Sequence, residues 1–274
     1  MKTFIFVVLF VSCFSTALAG AEVVQSDIPE SDWKVAGVLG IASMPKYLGD
    51  DESEAVFLPD LRASYRDWLS ASFADGLHLS LLHSDSWRFG PLLKYDFGRE
   101  ERDGNPFGLG GGDIDDLNGL GDIDPSVELG AFARYVGEGW AFEAEVLQGL
   151  SGGHEGTVAT MSVLLQRQAS LAKRPVFFEF GPQITFADST YMNAYFGTDN
   201  RQSMLSGLPE YTSNGGIMSF GIGVSAVIPL SEKIAVGSFL QLEQLSSEAT
   251  DSPLVDLRGE ANQFTAGAFV SIDF

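Results

Sequence analysis

The sequence predicts an all-β fold, an antiparallel transmembrane β-barrel of about twelve strands, with ten as the lower count. Three observations carry this reading. Apolar and polar residues alternate with period two in segment after segment, the connections between segments are short and long in turn, and the chain runs to Phe274 with apolar residues at every other position before it.

Composition narrows the classes first. The chain has 274 residues, with 37 Asp and Glu against 16 Lys and Arg and a net charge of −21. Binding nucleic acid takes clustered Lys and Arg to neutralise phosphates, and none are clustered here. The abundance of Phe, Val, Leu and Ile excludes disorder. At the N-terminus, Met1-Lys2, the apolar run from Phe4 to Phe14 and the small-x-small site Ala17-Leu18-Ala19 have the build of a secretory signal peptide, so residues 1–19 are read as cleaved. Cys13 lies inside that segment, and the Phe10-Val11-Ser12 before it lacks the usual Leu of a lipoprotein site. The mature chain then has no thiol. Residues 20–32 read as a periplasmic tail and 33–274 as the barrel. After residue 19 no apolar run approaches the roughly 18 residues of a spanning helix.

The strands follow in order. The first spans 33–41 and the second 56–65. A short pair at 69–74 and 77–83 turns at Asp75-Gly76. The fifth, 87–97, sets Trp87, Phe89, Pro91, Leu93, Tyr95 and Phe97 against Arg88, Lys94 and Asp96. In 126–136, Val127, Leu129, Ala131, Ala133 and Tyr135 oppose Glu128 and Arg134, and in 140–148, Trp140, Phe142, Ala144 and Val146 oppose Glu143 and Glu145. Segment 157–167 is followed by 175–186, where Val176, Phe178, Phe180, Pro182, Ile184 and Phe186 oppose Glu179, Gln183 and Thr185. In 217–228, Met218, Phe220, Ile222, Val224 and Ala226 oppose Gly and Ser; 234–245 and 263–274 complete the set. A soluble sandwich also alternates, but its packed face would not stand opposite charges and glycines.

Connections 42–55, 98–125, 187–216 and 246–262 are long and 149–156 is moderate, whereas 66–68, 84–86, 137–139, 168–174 and 229–233 are short. Short periplasmic turns and long outer loops place both termini in the periplasm. Under that topology Trp33, Trp68, Trp87 and Trp140 all fall at periplasmic strand ends, as a membrane-interface girdle would. Phe274, Ile272 and Val270 then form the C-terminal signal read by the barrel-insertion machinery.

The loops carry a resemblance. Gly119-Leu-Gly-Asp-Ile-Asp124, Gly152-Gly-His-Glu-Gly156, Ala187-Asp-Ser-Thr-Tyr191 with Tyr195-Phe-Gly197, Gly207-Leu-Pro-Glu-Tyr211, and Asp251-Ser-Pro-Leu-Val255 with Arg258-Gly259 and Asn262-Gln-Phe264 occur in order over the mature chain. Together they resemble the MipA/OmpV family. The resemblance implies an outer-membrane barrel of Gram-negative bacteria. Within the family are scaffolds that link a murein lytic transglycosylase to a penicillin-binding protein, and osmoregulated or adhesive proteins. On the family motifs, Asp122, Asp124, His154, Asp188, Tyr191, Asp251 and Arg258 are the candidate functional residues of the outer rim.

Chemistry-bearing clusters are sparse. Glu100, Glu101, Asp103, Asp113, Asp115, Asp116, Asp122 and Asp124 crowd one loop, and Ca²⁺ or Mg²⁺ on them would bridge the loops to lipopolysaccharide. The competing reading is a solvated loop made flexible by Gly108, Gly110, Gly111 and Gly112. The spacing from Asp113 to Asp124 is not that of an EF-hand, because Leu117 and Leu120 stand where ligands are needed. His154 and Glu155 would ligate zinc or exchange a proton, against a glycine-fixed loop in which His154 bonds the rim. His78 and Ser80 share the inward face of strand four, as in the outer-membrane phospholipase where such residues face lipid, but no orienting group or oxyanion hole is legible; an omptin-like protease fares no better. Arg62, Arg88, Lys94, Arg134, Glu128, Glu143, Glu145, Glu179 and Glu243 point inward among Gly221, Gly223, Ser225 and Gly237, which suits a closed or narrow lumen crossed by charge pairs. No catalytic, cofactor or resident metal set emerges. The expected function is therefore non-enzymatic, in envelope interaction, scaffolding of murein (peptidoglycan) metabolism or adhesion, with lipid and lipopolysaccharide as surroundings. A narrow solute channel is the alternative, and an outer-membrane hydrolase the third reading.

Overall fold

A computed structural model describes residues 32–102, 107–109 and 114–274; the signal peptide and nearly all of the tail predicted at 20–32 lie outside them. The strands are β1 (Trp33–Pro45), β2 (Ser53–Tyr65), β3 (Leu69–Ser72), β4 (Gly76–Leu79), β5 (Leu82–His83), β6 (Trp87–Asp96), β7 (Ser126–Gly137), β8 (Trp140–Gly149), β9 (Thr157–Leu171), β10 (Arg174–Asp188), β11 (Gly215–Pro229), β12 (Ile234–Leu245) and β13 (Asn262–Asp273). Consecutive strands pair antiparallel except β4 and β5, which do not pair with each other, and β1 pairs with β13. Segments β4 and β5 both lie on β6, at Leu77↔Leu93 and Leu82↔Phe89. They are two halves of one interrupted strand, so the closed wall has twelve strands rather than ten.

Closure is what lipid demands. Hydrocarbon offers no hydrogen-bond partners, so a spanning sheet has to leave no edge. Among the described residues no helix is long and apolar enough to cross a membrane. The outward face is apolar: Leu39, Ile41, Leu61, Phe89, Leu129, Phe220, Ile222, Leu242, Phe264 and Val270 are exposed. So large an exposed apolar belt suits acyl chains, not water.

Three residues assigned to that belt from the sequence, Val176, Phe97 and Met218, are buried. Phe97 is 3% exposed, because the hairpin β3–β4 stops short and Phe97 fills the gap behind it, 5.5 Å from the Phe73 ring. Met218 is fully buried, because the register slips between Thr185 and Phe186 and sets Ile217 opposite Phe186. A bulge of this kind moves every side chain beyond it to the other face.

All long connections gather at one end, and both Trp33 and Phe274 lie at the other. At that second rim Tyr65 stands between Trp33 (4.9 Å) and Trp68 (5.6 Å), and Tyr135 between Trp87 (4.9 Å) and Trp140 (5.0 Å). The four tryptophans thus form two aromatic triplets facing outward. Phe274 is exposed and its N–H donates to the Val35 carbonyl at 3.0 Å.

The lumen near this end is polar and paired. Lys94 Nζ donates to Glu145 at 2.6 Å, Arg134 meets Glu143 at 3.2 Å, Arg62 donates to Asp60 at 2.7 Å, and Gln166 donates to Glu179 at 2.7 Å. Arg88 is the exception to the inward set, half exposed at the rim beside Asp67.

The closing seam yields a test. A Cβ at Gly90 would lie 1.7 Å from the Leu79 carbonyl oxygen, a backbone atom that cannot turn aside, whereas at Gly221 the nearest atom is 3.3 Å away. Gly90→Val is expected to abolish the heat-modifiable, folded band on gels after refolding, while Gly221→Ala keeps it.

Candidate functional site

The long-loop end holds a folded cap, not a solvated fringe. Loop 189–214 contains α1 (Ser189–Phe196) and α2 (Asn200–Ser206), loop 246–261 contains α3 (Ser247–Thr250) and α4 (Pro253–Arg258), and the acidic loop has a 3₁₀ turn at Asp115–Leu117. Asp188 starts α1 by accepting the Tyr191 N–H at 2.8 Å. Asp199 and Gln202 close α2 with a reciprocal capping box, and Ser252 caps α4.

The apolar face of α1 enters the mouth. Tyr191, Met192, Tyr195 and Phe196 form one buried cluster with Leu92, Phe132, Leu147, Val158, Met218 and Leu245 of the wall. A second buried cluster joins Tyr47, Ile114, Leu117, Leu120, Leu208 and Leu254, so the acidic loop is anchored by its own leucines. The two leucines that spoil an EF-hand reading are therefore core residues of the cap. Gly108, read as a source of flexibility, instead bridges Val56, with Phe57 N–H donating to Phe107 at 2.8 Å.

At the junction of wall and cap sits His154, 2% exposed. Its Nε2 lies 3.1 Å from Glu128 Oε1 and 3.2 Å from Asp96 Oδ2, and Asp96 Oδ2 also accepts the Tyr195 hydroxyl at 2.8 Å. The Tyr191 ring packs edge-on at 4.7 Å. Glycines let the loop come this close: a Cβ at Gly153 would meet the Asp124 carbonyl at 2.2 Å, and one at Gly156 would meet the Tyr191 nitrogen at 2.2 Å.

The tautomer follows from the neighbours. Both partners of Nε2 are carboxylates, so Nε2 carries a hydrogen; Nδ1 accepts the Gly156 N–H at 3.0 Å, so Nδ1 carries none. Burial lowers the affinity of the ring for a second proton, while hydrogen bonds to Asp96 and Glu128 and their charge raise it, to a pKa of about 9. Geometry outweighs this pull, because that proton would sit on Nδ1 facing the Gly156 N–H. The same contact argues against a metal. Asp96, Glu128 and His154 lie within 4.8 Å of one another, but a metal on Nε2 would move the ring hydrogen to Nδ1. The trio is a latch: one neutral imidazole shares its hydrogen between two wall carboxylates.

The other sequence candidates divide. Tyr191 and Asp188 belong to the latch and its helix. Arg258 clamps three loops, donating to the Asp116 carbonyl at 2.6 Å and the Ser206 carbonyl at 2.5 Å while its own carbonyl accepts from Tyr47. Asp122 accepts the Glu101 N–H at 2.7 Å. Asp124 and Asp251 are exposed, and the Asp124 backbone carbonyl lies against Gly153 in the His154 loop. Asp96, Tyr195 and Arg99, whose Nη1 donates to the Tyr195 carbonyl at 3.0 Å, meet where wall and cap join, and sequence spacing alone does not bring them together. His78 Nε2 lies 3.5 Å from Glu145 and its ring packs on Phe132, so it belongs to the lumen network.

A family model described as MltA-interacting protein MipA matches residues 37–274. No curated protein matches the chain. Among solved structures the chain is similar to an outer-membrane channel from Pseudomonas putida F1, with 14% identity, coverage of 92% of this chain and 100% of that one, and a TM-score of 0.44. It is also similar to Neisserial surface protein A, with 10% identity, coverage of 89% and 98%, and a TM-score of 0.27. Outer-membrane expressed OmpT of Vibrio cholerae aligns with 7% identity, coverage of 90% and 99%, and a TM-score of 0.31.

Removing the latch takes the shared hydrogen-bond donor from two buried carboxylates, so His154→Ala is expected to lower unfolding free energy in detergent by about 2 kcal/mol. The ring state is separately testable. An imidazolium with its pKa raised to about 9 would add stability that is complete below pH 6.5 and lost as pH rises through 9. A neutral ring predicts that the stability difference between the wild type and His154→Gln stays constant across that window.

Proposed function

From the premise that this chain belongs to the MltA-interacting protein MipA family of outer-membrane barrels, we propose that it is a non-conducting, non-enzymatic interaction protein of the cell envelope. Its work would be scaffolding in murein metabolism, with a lytic transglycosylase as the partner the family name points to and a penicillin-binding protein as the further partner the resemblance implies. The observation that carries this reading is the filled mouth. Tyr191, Met192, Tyr195 and Phe196 pack against inward residues of the wall, and the polar lumen beneath is crossed by ion pairs. A solute path would have to break both layers.

Against the hydrolase reading, Glu145 beside His78 is also bonded to Lys94, and among the described residues no hydrogen bond joins His78 to Ser80. With the termini periplasmic, the short-turn rim would face murein enzymes, and the turns and paired tryptophans would be what a partner meets. The cap would face lipopolysaccharide and the exterior, where adhesion is the second role for its acidic surface. Assembly would rest on the insertion machinery reading Phe274, Ile272 and Val270.

Two measurements test the proposal together. In planar bilayers the refolded barrel is expected to be silent, and Glu143→Gln with Glu145→Gln is expected to leave it so; steady wild-type conductance would establish the channel reading instead. The immobilised barrel is expected to retain a purified lytic transglycosylase, and failure to retain it would overturn the scaffold role.

A further inference from the structure

One group of side chains in the cap is not used by the latch. The carboxylates of Asp50, Asp51 and Asp116 each offer an oxygen within 4.8 Å of the other two. They come from two segments far apart in sequence, the β1–β2 loop and the 3₁₀ turn of the acidic loop. Like charges brought together this closely repel unless something between them is positive.

The scaffold holds them there without using the carboxylates themselves. Arg258 is bonded to the Asp116 carbonyl, Gln263 Nε2 donates to the Asp50 carbonyl at 3.2 Å, and Gly49 N–H donates to Gln263 Oε1 at 3.1 Å. Asp50 also pairs with Gly259 as a β-bridge. Neighbouring cations are engaged elsewhere: Lys46 with Glu52, and Arg258 with two carbonyls. No ion pair among the described residues includes Asp50, Asp51 or Asp116.

Asp50 supplies the independent sign of a missing partner. Its side chain is buried, with the whole residue 3% exposed; one oxygen accepts the Glu52 N–H at 2.9 Å, and Oδ2 is buried with no hydrogen-bond partner. Buried polar atoms are seldom left in that condition. Asp51 is exposed, so the cluster opens to solvent on one side.

We propose that Asp50, Asp51 and Asp116 form a site for one hard divalent cation, Ca²⁺ by its tolerance of irregular all-oxygen ligation, which fastens the acidic loop to the β1–β2 loop. Three carboxylates and water complete a hard-cation shell, whereas Mg²⁺ demands a near-ideal octahedron. This goes beyond the scaffold reading and does not depend on it. It also differs from bridging to lipopolysaccharide, because all three protein ligands lie within one cap.

The test uses the metal alone, by equilibrium dialysis of ⁴⁵Ca²⁺ against the full refolded barrel in detergent, free of lipopolysaccharide, at an ionic strength near 0.15 M where diffuse attraction is screened. Saturable binding of one Ca²⁺ is expected, with a dissociation constant on the order of 0.1–1 mM, the range of extracellular modules. Asp116→Asn and Asp50→Asn are each expected to weaken it about tenfold or more, while Asp256→Asn, an exposed acid of α4 outside the cluster, leaves it unchanged. Asp51→Asn gives an arm at a solvent-facing position where folding is not at stake, and a loss of affinity is expected there too. Absence of saturable binding, or equal affinity in all four variants, would overturn the proposal.

Discussion

The structure depends on one constraint: in hydrocarbon every backbone N–H and C=O has to be satisfied within the protein. Strands from Trp33 to Asp273 meet it only by closing into a ring, and the seam where β4 and β5 lie against β6 is where closure is most demanding. The short β3–β4 hairpin leaves a gap in the wall, and Phe73, Phe97 and Phe107 cover it. Closure fixes which residues point inward. Several charged residues that point inward form ion pairs, Lys94 with Glu145 and Arg134 with Glu143 among them, while Glu243 accepts from the Ser219 hydroxyl.

From that wall the cap follows. Twelve strands enclose a lumen wider than side chains of the wall can fill, so the mouth is completed by the loops. Helix α1 contributes the apolar filling, and the carboxylates Asp96 and Glu128 at strand ends meet His154 from the neighbouring loop. The latch is thus partly wall and partly cap, which couples the folding of the two. The filled mouth is the feature on which the proposed interaction role rests.

Much of the wall was legible in the sequence. Alternation in 87–97 or 263–274 follows from a period of two that no tertiary contact has to supply, and connection lengths set the two ends apart. Two of the exceptions have local causes that alternation cannot report. Met218 is turned inward by a bulge in register, and Phe97 by the early end of a hairpin two strands away. The cap was far less legible. Its helices are no longer than eight residues, too short for a helical period to show against flanking strands, and its capping residues Asp188 and Asp199 read equally well as loop acids. His154 could be read as a rim contact because its glycines are adjacent to it in sequence. Its partners Asp96 and Glu128 lie on β6 and β7, and the pairing of β6 with β7 and of β7 with β8 brings them beside the His154 loop.

The account stands on the cap being a folded part of the barrel and not a set of mobile loops. Hydrogen exchange of the refolded protein in detergent measures this directly, because protection reports how rarely a segment opens. The account predicts that amides of Tyr191 to Phe196 exchange as slowly as those of the adjoining strands β10 and β11. Exchange of those amides at the rate of an open loop, with the strands still protected, would contradict it.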